Sequence, residues 1–328
     1  LKRCIQAGAD PKKIVFSGVA KSSEELELAI SNEILSINIE SEDEFDRVCN
    51  ISQNLNKEVQ CAIRINPDIP TGSHKYIETG LKTSKFGVGS ETLQNISSKA
   101  KDKPLIKISG IACHIGSQIS DNSLIIKSLE HLLDAQKLLI KDEHKLEFLD
   151  IGGGLGITYK EETPGNPESL ILEILNKISA LNLNIILEPG RSITGTAGIL
   201  VTKVEYLKLT EHKNFAIIDA GMNDLMRPAL YDAWHTVKEV KKRDLDKKIY
   251  ELVGPVCESS DVLAKERELS ISQGDFIAFM DAGAYGSVMS SNYNSRLKVP
   301  EILVNGSSAK LIKRRESFED LIALETNV

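Results

Sequence analysis

Six short apolar runs rich in β-branched residues recur along the first 190 residues, and segments of helical periodicity separate them. A tight turn cannot join parallel strands, so a helical crossover between two strands indicates that they run in the same direction. This alternation constrains the fold most strongly, because it predicts a parallel sheet with helices packed against it. The six runs are residues 14–18, 34–39, 59–66, 108–116, 148–154 and 185–190.

Nearly every run ends in small or polar residues, as at 64–66, 114–117 and 152–154. Functional residue types at the carboxyl ends of consecutive strands are typical of a (β/α)8 TIM-like barrel, which builds its active site there. Such a barrel has eight units and six are visible, so we expect the first two units upstream of Leu1. We assign residues 1–198 to this α/β barrel domain.

Three helices carry recognisable start signals. Capping boxes are predicted at Ser22 with Glu25 and at Ser41 with Glu44. A third helix is predicted to begin near Pro167. Its apolar face would consist of Ile171, Ile174, Leu175 and Ile178.

After about residue 200 the pattern changes to short alternating strands separated by turn residues, at 201–207, 215–218, 276–280 and 302–304. Only residues 224–241 could hold a helix. We therefore predict a second, mainly antiparallel β domain over residues 199–328.

Composition excludes several classes of function. The net charge is -7 and no basic cluster stands out, which argues against nucleic acid as the main partner. No apolar run is long enough to cross a bilayer and no signal-peptide pattern is present, so we expect a cytoplasmic protein. The five cysteines are scattered and the histidines lack ligand spacing, so neither a disulfide framework nor a metal site is predicted.

The last apolar run leads into Glu188, Pro189, Gly190 and Arg191. A carboxylate at a buried strand end needs a protonated partner, such as a ring nitrogen. Arg191 follows a glycine that lets a ligand approach the backbone, and its guanidinium suits an anion. The alternative is a strand-terminating turn with an ordinary Glu–Arg ion pair.

Two other strand ends suggest a phosphorylated planar ligand. Gly152, Gly153 and Gly154 leave backbone N–H groups that could cradle a phosphate, although such loops also occur simply as tight turns. His114 could stack on a planar cofactor and Ser117 could donate to phosphate. The alternative for His114 is a hydrogen-bonded core histidine.

The second domain contributes polar candidates in small-residue turns. Arg227 and Tyr231 would face the same way on a helix. Cys257 and Glu258 lie side by side in one turn, and Tyr285 lies among small residues in another. Each of these could instead be structural.

Taken together, these motifs resemble the diaminopimelate decarboxylases of the fold-type III pyridoxal-phosphate enzymes, over essentially the whole chain. The matching runs are residues 113–118, 149–156, 188–191, 226–231, 254–259 and 281–285, with a further motif at His74, Tyr76, Ile77, Thr79 and Gly80 followed by residues 85–87.

The resemblance implies decarboxylation of meso-2,6-diaminopimelate to L-lysine and carbon dioxide, the last step of lysine biosynthesis through diaminopimelate, with pyridoxal 5'-phosphate as cofactor. Glu188 would pair with the pyridine nitrogen and His114 would stack on the ring. The other implied cofactor-binding residues are Ser117, Gly152, Gly153, Gly154, Pro189, Gly190, Arg191 and Tyr285. Implied substrate-binding residues are Arg191, Arg227 and Tyr231 for the distal carboxylate, Glu258 for the ammonium group, and Tyr285. Cys257 would return a proton to the α-carbon.

In this family the residues that match Cys257 and Glu258 reach the site across a two-fold interface, so a homodimer is implied. The sequence departs from the family in two places. Leu297 and Lys298 follow Arg296 where a proline usually stands. The lysine that anchors the cofactor, in a Tyr-Ala-Val-Lys-like run, has no counterpart here, so we expect the chain of 328 residues to be inactive alone.

Two alternatives remain. One is a related decarboxylase acting on ornithine or arginine, which Arg227 and Glu258 disfavour because a simple diamine end does not require an added cation. The other is a non-catalytic, cofactor-binding homologue without the lysine.

Overall fold

The computed structural model describes residues 1–71, 79–80 and 84–326. Part of the further motif, including His74, Tyr76 and Ile77, lies outside the described residues. Contacts divide the chain into two compact units, one formed by Leu1–Gly156 with Thr163–Gly190 and the other by Ile157–Glu162 with Arg191–Val328. The functional division at residue 198 stays a prediction.

The first unit contains one sheet in which six strands lie side by side in chain order, and every neighbouring pair is parallel. This confirms the parallel α/β arrangement. The strands are β1 (Val15–Phe16), β2 (Ser36–Ile39), β3 (Val59–Arg64), β4 (Ile106–Ala112), β5 (Phe148–Asp150) and β6 (Asn184–Ile186). The helices are α1 (Lys2–Gln6), α2 (Ser23–Ser31), α3 (Glu42–Leu55), α4 (Ser90–Ala100), α5 (Asn122–Lys141) and α6 (Pro167–Ile178).

Apolar side chains from both the sheet and the helices form the core of this unit. Ile37, Ile63 and Ile111 from the strands and Phe45 and Leu129 from the helices are all essentially inaccessible to solvent. Burial of such faces, rather than helix propensity alone, fixes each helix against the sheet.

The capping prediction is correct at one helix and wrong in part at another. Ser22 and Glu25 form a complete capping box at the start of α2. At α3, Ser41 accepts from the backbone N–H of Glu44, but the Glu44 carboxylate does not return to Ser41. It instead accepts from the backbone N–H of Glu40 and pairs with Lys21. A buried ammonium group without an anion would cost more free energy than the lost hydrogen bond at the helix start.

The apolar face predicted for α6 is correct at Ile174 and Ile178 and wrong at Leu175. Leu170, Ile174 and Ile178 are the buried residues, whereas Leu175 is 50% exposed. The buried residues recur every four positions, so the helix turns Leu175 away from the sheet.

The second unit is mainly antiparallel, as predicted. Its strands are β7 (Leu200–Leu209), β8 (Asn214–Ile218), β9 (Val237–Glu239), β10 (Lys248–Val253), β11 (Val262–Leu269), β12 (Phe276–Phe279), β13 (Glu301–Asn305) and β14 (Ser308–Lys313). Six of them form a sheet in the order β11-β10-β8-β7-β12-β9, in which only the β8–β10 pair is parallel, and β13 pairs with β14.

Short helices complete this unit: α7 (Arg191–Thr194), α8 (Arg227–Tyr231) and α9 (Phe318–Ile322). The helix expected within residues 224–241 is therefore only one turn long, because Asp232 adopts a left-handed conformation (φ +49°) that ends it and β9 follows.

Among the described residues, no helix is both long and apolar enough to span a bilayer. The longest, α5, has 20 residues and is amphipathic, with Leu129, Leu132 and Leu139 on its buried face.

The corrected orientation of α6 can be tested with two neighbouring substitutions. Ile174→Ala should lower the free energy of unfolding by about 2–5 kcal/mol, because it leaves a cavity in the core. Leu175→Ala is the matched control and should cost less than about 1 kcal/mol. Denaturant unfolding followed by circular dichroism measures both. Equal losses would mean that the predicted apolar face was right.

Candidate active site

Glu188 lies just beyond the end of β6 and belongs to the first unit. Its backbone N–H donates to the carbonyl of Gly152 at 2.8 Å, so the strand pairing continues past the sheet. Its side chain is half-buried, and Oε1 accepts from the hydroxyl of Ser17 at 3.2 Å. The carboxyl group is thus held at the carboxyl end of the sheet, where the sequence predicted a ligand-binding residue.

Asp150, at the end of β5, is a second carboxyl group beside Glu188 that the sequence analysis did not single out. It is 1% exposed and accepts from the backbone N–H of Gly152 at 3.0 Å and from Nδ2 of Asn38 at 3.1 Å. Burial and then the neighbouring Glu188 raise the pKa of Asp150 to about 7. The available signal was a polar residue within an apolar run, Asn38 in residues 34–39 and Asp150 in residues 148–154.

The three glycines after β5 are required by close backbone approach. A Cβ on Gly153 would lie 2.0 Å from the carbonyl oxygen of Glu188, and one on Gly154 would lie 2.3 Å from that of Gly116. Gly152 and Gly154 have φ values of +73° and +104°, which side chains disfavour. The tight-turn explanation therefore accounts for the glycines, and a phosphate-binding role for them stays a prediction.

His114 packs against the glycine loop as a neutral imidazole. Its Nδ1 accepts from the backbone N–H of Gly153 at 3.1 Å, which assigns the ring proton to Nε2. Burial, with the charge of Arg64 second, lowers the pKa of His114 to about 4. His114 is a hydrogen-bonded, packed residue and also a flat, uncharged ring at the strand ends. Its environment is therefore compatible with both interpretations of the sequence, a core histidine and a ring that stacks on a planar cofactor.

Arg64 and Glu40, which sequence analysis also missed, fix the backbone behind His114. Arg64 pairs with Glu40 at 2.7 Å, stacks on the ring of Phe86 at 4.7 Å and reaches the carbonyl of His114 at 3.4 Å. Thr79 donates to the same carbonyl at 2.8 Å. Ser117, which follows His114 on the same connection after β4, is half-buried.

Arg191 begins α7 in the second unit and is buried. Its Nη1 donates to the hydroxyl of Tyr159 at 2.6 Å, and its guanidinium lies 5.0 Å from the centre of the Tyr285 ring. Tyr285 has φ +58° and is 43% exposed, so a strained backbone presents an accessible aromatic ring beside a buried cation.

Arg227 begins α8 and is also buried. Its guanidinium lies 4.3 Å from the centre of the Tyr159 ring, and its Nη1 donates to Nε2 of His235 at 2.9 Å. The other ring nitrogen of His235 donates to the carbonyl of Met280 at 2.8 Å. The contact with Arg227 requires an unprotonated Nε2 and therefore a neutral imidazole, and burial lowers the pKa of His235 to about 4. Tyr231 lies at the end of the same one-turn helix.

Tyr159 and His235 are functional candidates that sequence reasoning missed. Tyr159 lies in the glycine-poor stretch after the 152–156 loop, and no periodic pattern marks it. His235 is part of the run that follows Tyr231, and its position eight residues after Arg227 was the only available hint.

Cys257 and Glu258 are exposed in the second unit, in a turn held by the buried Asp261. Asp261 accepts from the backbone N–H of Val256 at 2.7 Å. The Glu258 carboxylate accepts from the hydroxyls of Tyr293 and Ser260, and these two hydrogen bonds lower its pKa. The turn therefore presents an ionised carboxylate next to a thiol.

The close approach at the glycine loop gives a direct test. Gly153→Ala places a methyl group against the Glu188 carbonyl, so it should destabilise the protein by about 1–3 kcal/mol. Gly190→Ala is the control, because a Cβ there would meet nothing within 4 Å. Thermal unfolding of the cofactor-free protein measures both, and a Gly153→Ala variant as stable as the control would contradict this packing.

Known proteins are similar to this chain over nearly its whole length. The family described as "Pyridoxal-dependent decarboxylase, pyridoxal binding domain" matches residues 1–195. The chain is 47% identical to the diaminopimelate decarboxylase of Haemophilus influenzae, covering 100% of this chain and 80% of that protein, and 42% identical to that of Pseudomonas aeruginosa, covering 99% and 79%. The crystal structure of diaminopimelate decarboxylase from Helicobacter pylori, complexed with L-lysine, superposes with a TM-score of 0.95 at 41% identity, covering 99% of this chain and 81% of that one. The fold is therefore that of the fold-type III enzymes, a TIM-like barrel followed by a β domain, and the chain belongs to the diaminopimelate decarboxylase family of pyridoxal-dependent decarboxylases.

Proposed function

We propose that this protein decarboxylates meso-2,6-diaminopimelate to L-lysine and carbon dioxide with pyridoxal 5'-phosphate as cofactor. Membership of the family supports the reaction type, and one structural observation carries the choice of substrate. That observation is the environment of Arg227, a buried cation in the second unit.

Arg227 has no carboxylate in ion-pair contact among the residues that the structure describes. Its polar partner is the neutral imidazole of His235, and its guanidinium faces the ring of Tyr159. Burial, more than any other cause, lowers the pKa of Arg227. A buried guanidinium without a protein anion is best stabilised by an anionic ligand.

This environment favours diaminopimelate over ornithine or arginine. Diaminopimelate carries a carboxylate on its distal half, whereas the distal ends of the other two substrates are cations. Bringing a second cation to Arg227 would add repulsion in a desolvated place, where charges interact strongly. We assign the distal carboxylate to Arg191, Arg227 and Tyr231, and the distal ammonium group to the ionised Glu258.

The first unit offers groups of the chemical types that pyridoxal 5'-phosphate requires. They are a carboxyl group at the strand ends, a flat neutral imidazole beside it, and backbone amides in a glycine loop. When bound, the cofactor withdraws electrons from the substrate's α-carbon as carbon dioxide leaves. Glu188 would keep the ring nitrogen protonated, and His114 would hold the ring face.

Further binding and proton-transfer roles are assigned by the family resemblance. Ser117, Gly152, Gly153, Gly154, Pro189, Gly190, Arg191 and Tyr285 would bind the cofactor, and Tyr285 would also contact substrate. Cys257 would deliver a proton to the α-carbon, for which an exposed thiol is suitably accessible. It stays a prediction that the second subunit of a two-fold homodimer supplies this thiol. The cytoplasmic location also stays a prediction.

The proposal is tested by measuring carbon dioxide released from meso-2,6-diaminopimelate, L-ornithine and L-arginine by a form of the protein with the upstream segment restored and loaded with pyridoxal 5'-phosphate. We expect release from diaminopimelate with lysine as the product. Release from ornithine or arginine instead would reassign the substrate.

The non-catalytic alternative is tested by the coding sequence upstream of Leu1. An in-frame lysine within a Tyr-Ala-Val-Lys-like run supports the enzyme, whereas a start codon close to Leu1 supports the non-catalytic homologue. Cofactor binding without carbon dioxide release from any of the three substrates would support the homologue as well.

The role of Arg227 predicts a specific kinetic defect. Arg227→Met should lower kcat/KM for diaminopimelate by about 10- to 100-fold, because a charged hydrogen bond contributes about 1.5–3 kcal/mol. Most of the loss should appear in KM, since the distal carboxylate does not react. Arg243→Met, which removes a surface partner of Asp275, is the control and should leave kinetics unchanged. A normal KM in Arg227→Met would remove the argument for a diacid substrate.

A further inference from the structure

The ring of His235 joins two segments of the second unit that carry candidate substrate-binding residues. Its Nε2 accepts from Nη1 of Arg227 at 2.9 Å, and its Nδ1 donates to the carbonyl of Met280 at 2.8 Å. Arg227 begins α8, whereas Met280 follows β12 and precedes the turn that contains Tyr285. His235 is 0% exposed, so both hydrogen bonds form away from water. One imidazole therefore connects the guanidinium to the end of a strand.

The local fold explains how a residue eight positions after Arg227 comes to contact it. The helix α8 is one turn long and ends at Asp232, whose left-handed conformation turns the chain back. Further along, the backbone N–H of Met280 donates to the carbonyl of Thr236 at 2.8 Å, which extends the pairing of β9 with β12. His235 is thus held between the end of α8 and the start of β9.

The two hydrogen bonds of His235 determine its protonation state. A guanidinium can only donate, so Nε2 carries no hydrogen, and a carbonyl can only accept, so Nδ1 carries one. The geometry thus assigns a neutral imidazole. Burial, more than any other cause, lowers the pKa of His235 to about 4, and three nearby guanidinium groups act in the same direction. These groups belong to Arg227 on α8, Arg191 on α7 and Arg267 on β11.

Arg227 keeps its positive charge without an ion pair to any residue that the structure describes. Its guanidinium lies 4.3 Å from the centre of the Tyr159 ring, and that ring packs edge-on against His235 with 5.4 Å between the ring centres. Nε of Arg227 is buried and has no hydrogen-bond partner among the described residues. An aromatic ring and a neutral imidazole therefore hold this cation in place and leave its charge uncompensated.

We propose that His235 is a positioning residue that sets charge selectivity, because it orients the Arg227 guanidinium without neutralising it and leaves the substrate's distal carboxylate to supply the anion. A carboxylate in place of His235 would also orient the guanidinium, but it would compensate the charge that the substrate needs. An apolar side chain would preserve the charge and remove the acceptor. The inference rests on the proposed role of Arg227 in binding diaminopimelate.

The first experiment tests the protonation state without requiring turnover. A form of the protein with the upstream segment restored is labelled with 15N in its histidine rings, and the signals of His235 are identified by their absence in His235→Gln. We expect the 15N chemical shifts to show a protonated Nδ1 and an unprotonated Nε2 from about pH 6 to about pH 8. A hydrogen on Nε2 anywhere in this range would overturn the proposal, because Arg227 would then have no acceptor.

The second experiment compares His235→Gln with His235→Glu in the same form of the protein, loaded with pyridoxal 5'-phosphate. The two side chains have nearly the same size and both present an oxygen acceptor, so they differ mainly in charge. We expect His235→Gln to keep KM for diaminopimelate within about threefold of wild type and His235→Glu to raise KM at least about tenfold. The value of kcat should change less than KM in both variants, since the distal carboxylate does not react.

A double variant shows whether His235 acts through Arg227. If it does, adding His235→Leu to Arg227→Met should not raise KM further, whereas a further rise would contradict the positioning role. Equal KM values for His235→Gln and His235→Glu would overturn the charge selectivity while leaving the proposed function intact. Absence of diaminopimelate turnover in wild type would instead refute the proposed function, so the two failures are distinguishable.

Discussion

The ion pair between Glu40 and Arg64 is the interaction on which the strand ends of the first unit depend. Both side chains are buried, and the Glu40 carboxylate accepts from Arg64 and from the backbone N–H groups of Gly18 and Gly87 at 2.7, 3.1 and 2.8 Å. Removing one member of a buried pair costs about 3–5 kcal/mol, because the other charge is left in a desolvated place. The pair therefore constrains the ends of β1, β2 and β3 together. Arg64 extends that constraint to the carbonyl and the neutral state of His114.

Lys21 is a second buried cation of the first unit. Its ammonium group donates to the carbonyls of Gly18 and Asn38 and to the carboxylate of Glu44, and these three acceptors use all three of its hydrogens. Lys21 is therefore a structural cation. The same contacts explain why Glu44 does not complete a capping box. Its carboxylate neutralises the buried ammonium group of Lys21 and does not reach the backbone N–H of Ser41.

The sequence predicted those features that depend on local pattern. The six apolar runs mark the six parallel strands, and the polar residues that close them include His114 and Glu188, because a strand end is visible in sequence. Partners such as Asn38, Arg64 and Tyr159 could not be predicted, since a buried polar residue is chosen by what lies opposite it in space. Asn38 and Asp150 are 112 positions apart and meet only because β2 and β5 belong to one sheet. The wrong placement of Leu175 on α6 had a similar origin. Its helix contains so many apolar residues that more than one face could be the buried one, and only packing against the rest of the unit selects it.

The candidate site residues of the two units differ in charge, because the first unit presents a pair of carboxyl groups and the second a pair of guanidinium groups. In the first unit, Asp150 is buried at the end of β5 and Glu188 is half-buried beyond β6, and burial followed by the nearby Glu188 raises the pKa of Asp150. In the second unit, Arg191 and Arg227 lie on the same tyrosine, and His235 remains uncharged between a guanidinium and a carbonyl. A charged imidazole would add a third cation and lose its acceptor for Arg227. A neutral His235 therefore orients Arg227 without adding a further positive charge beside it.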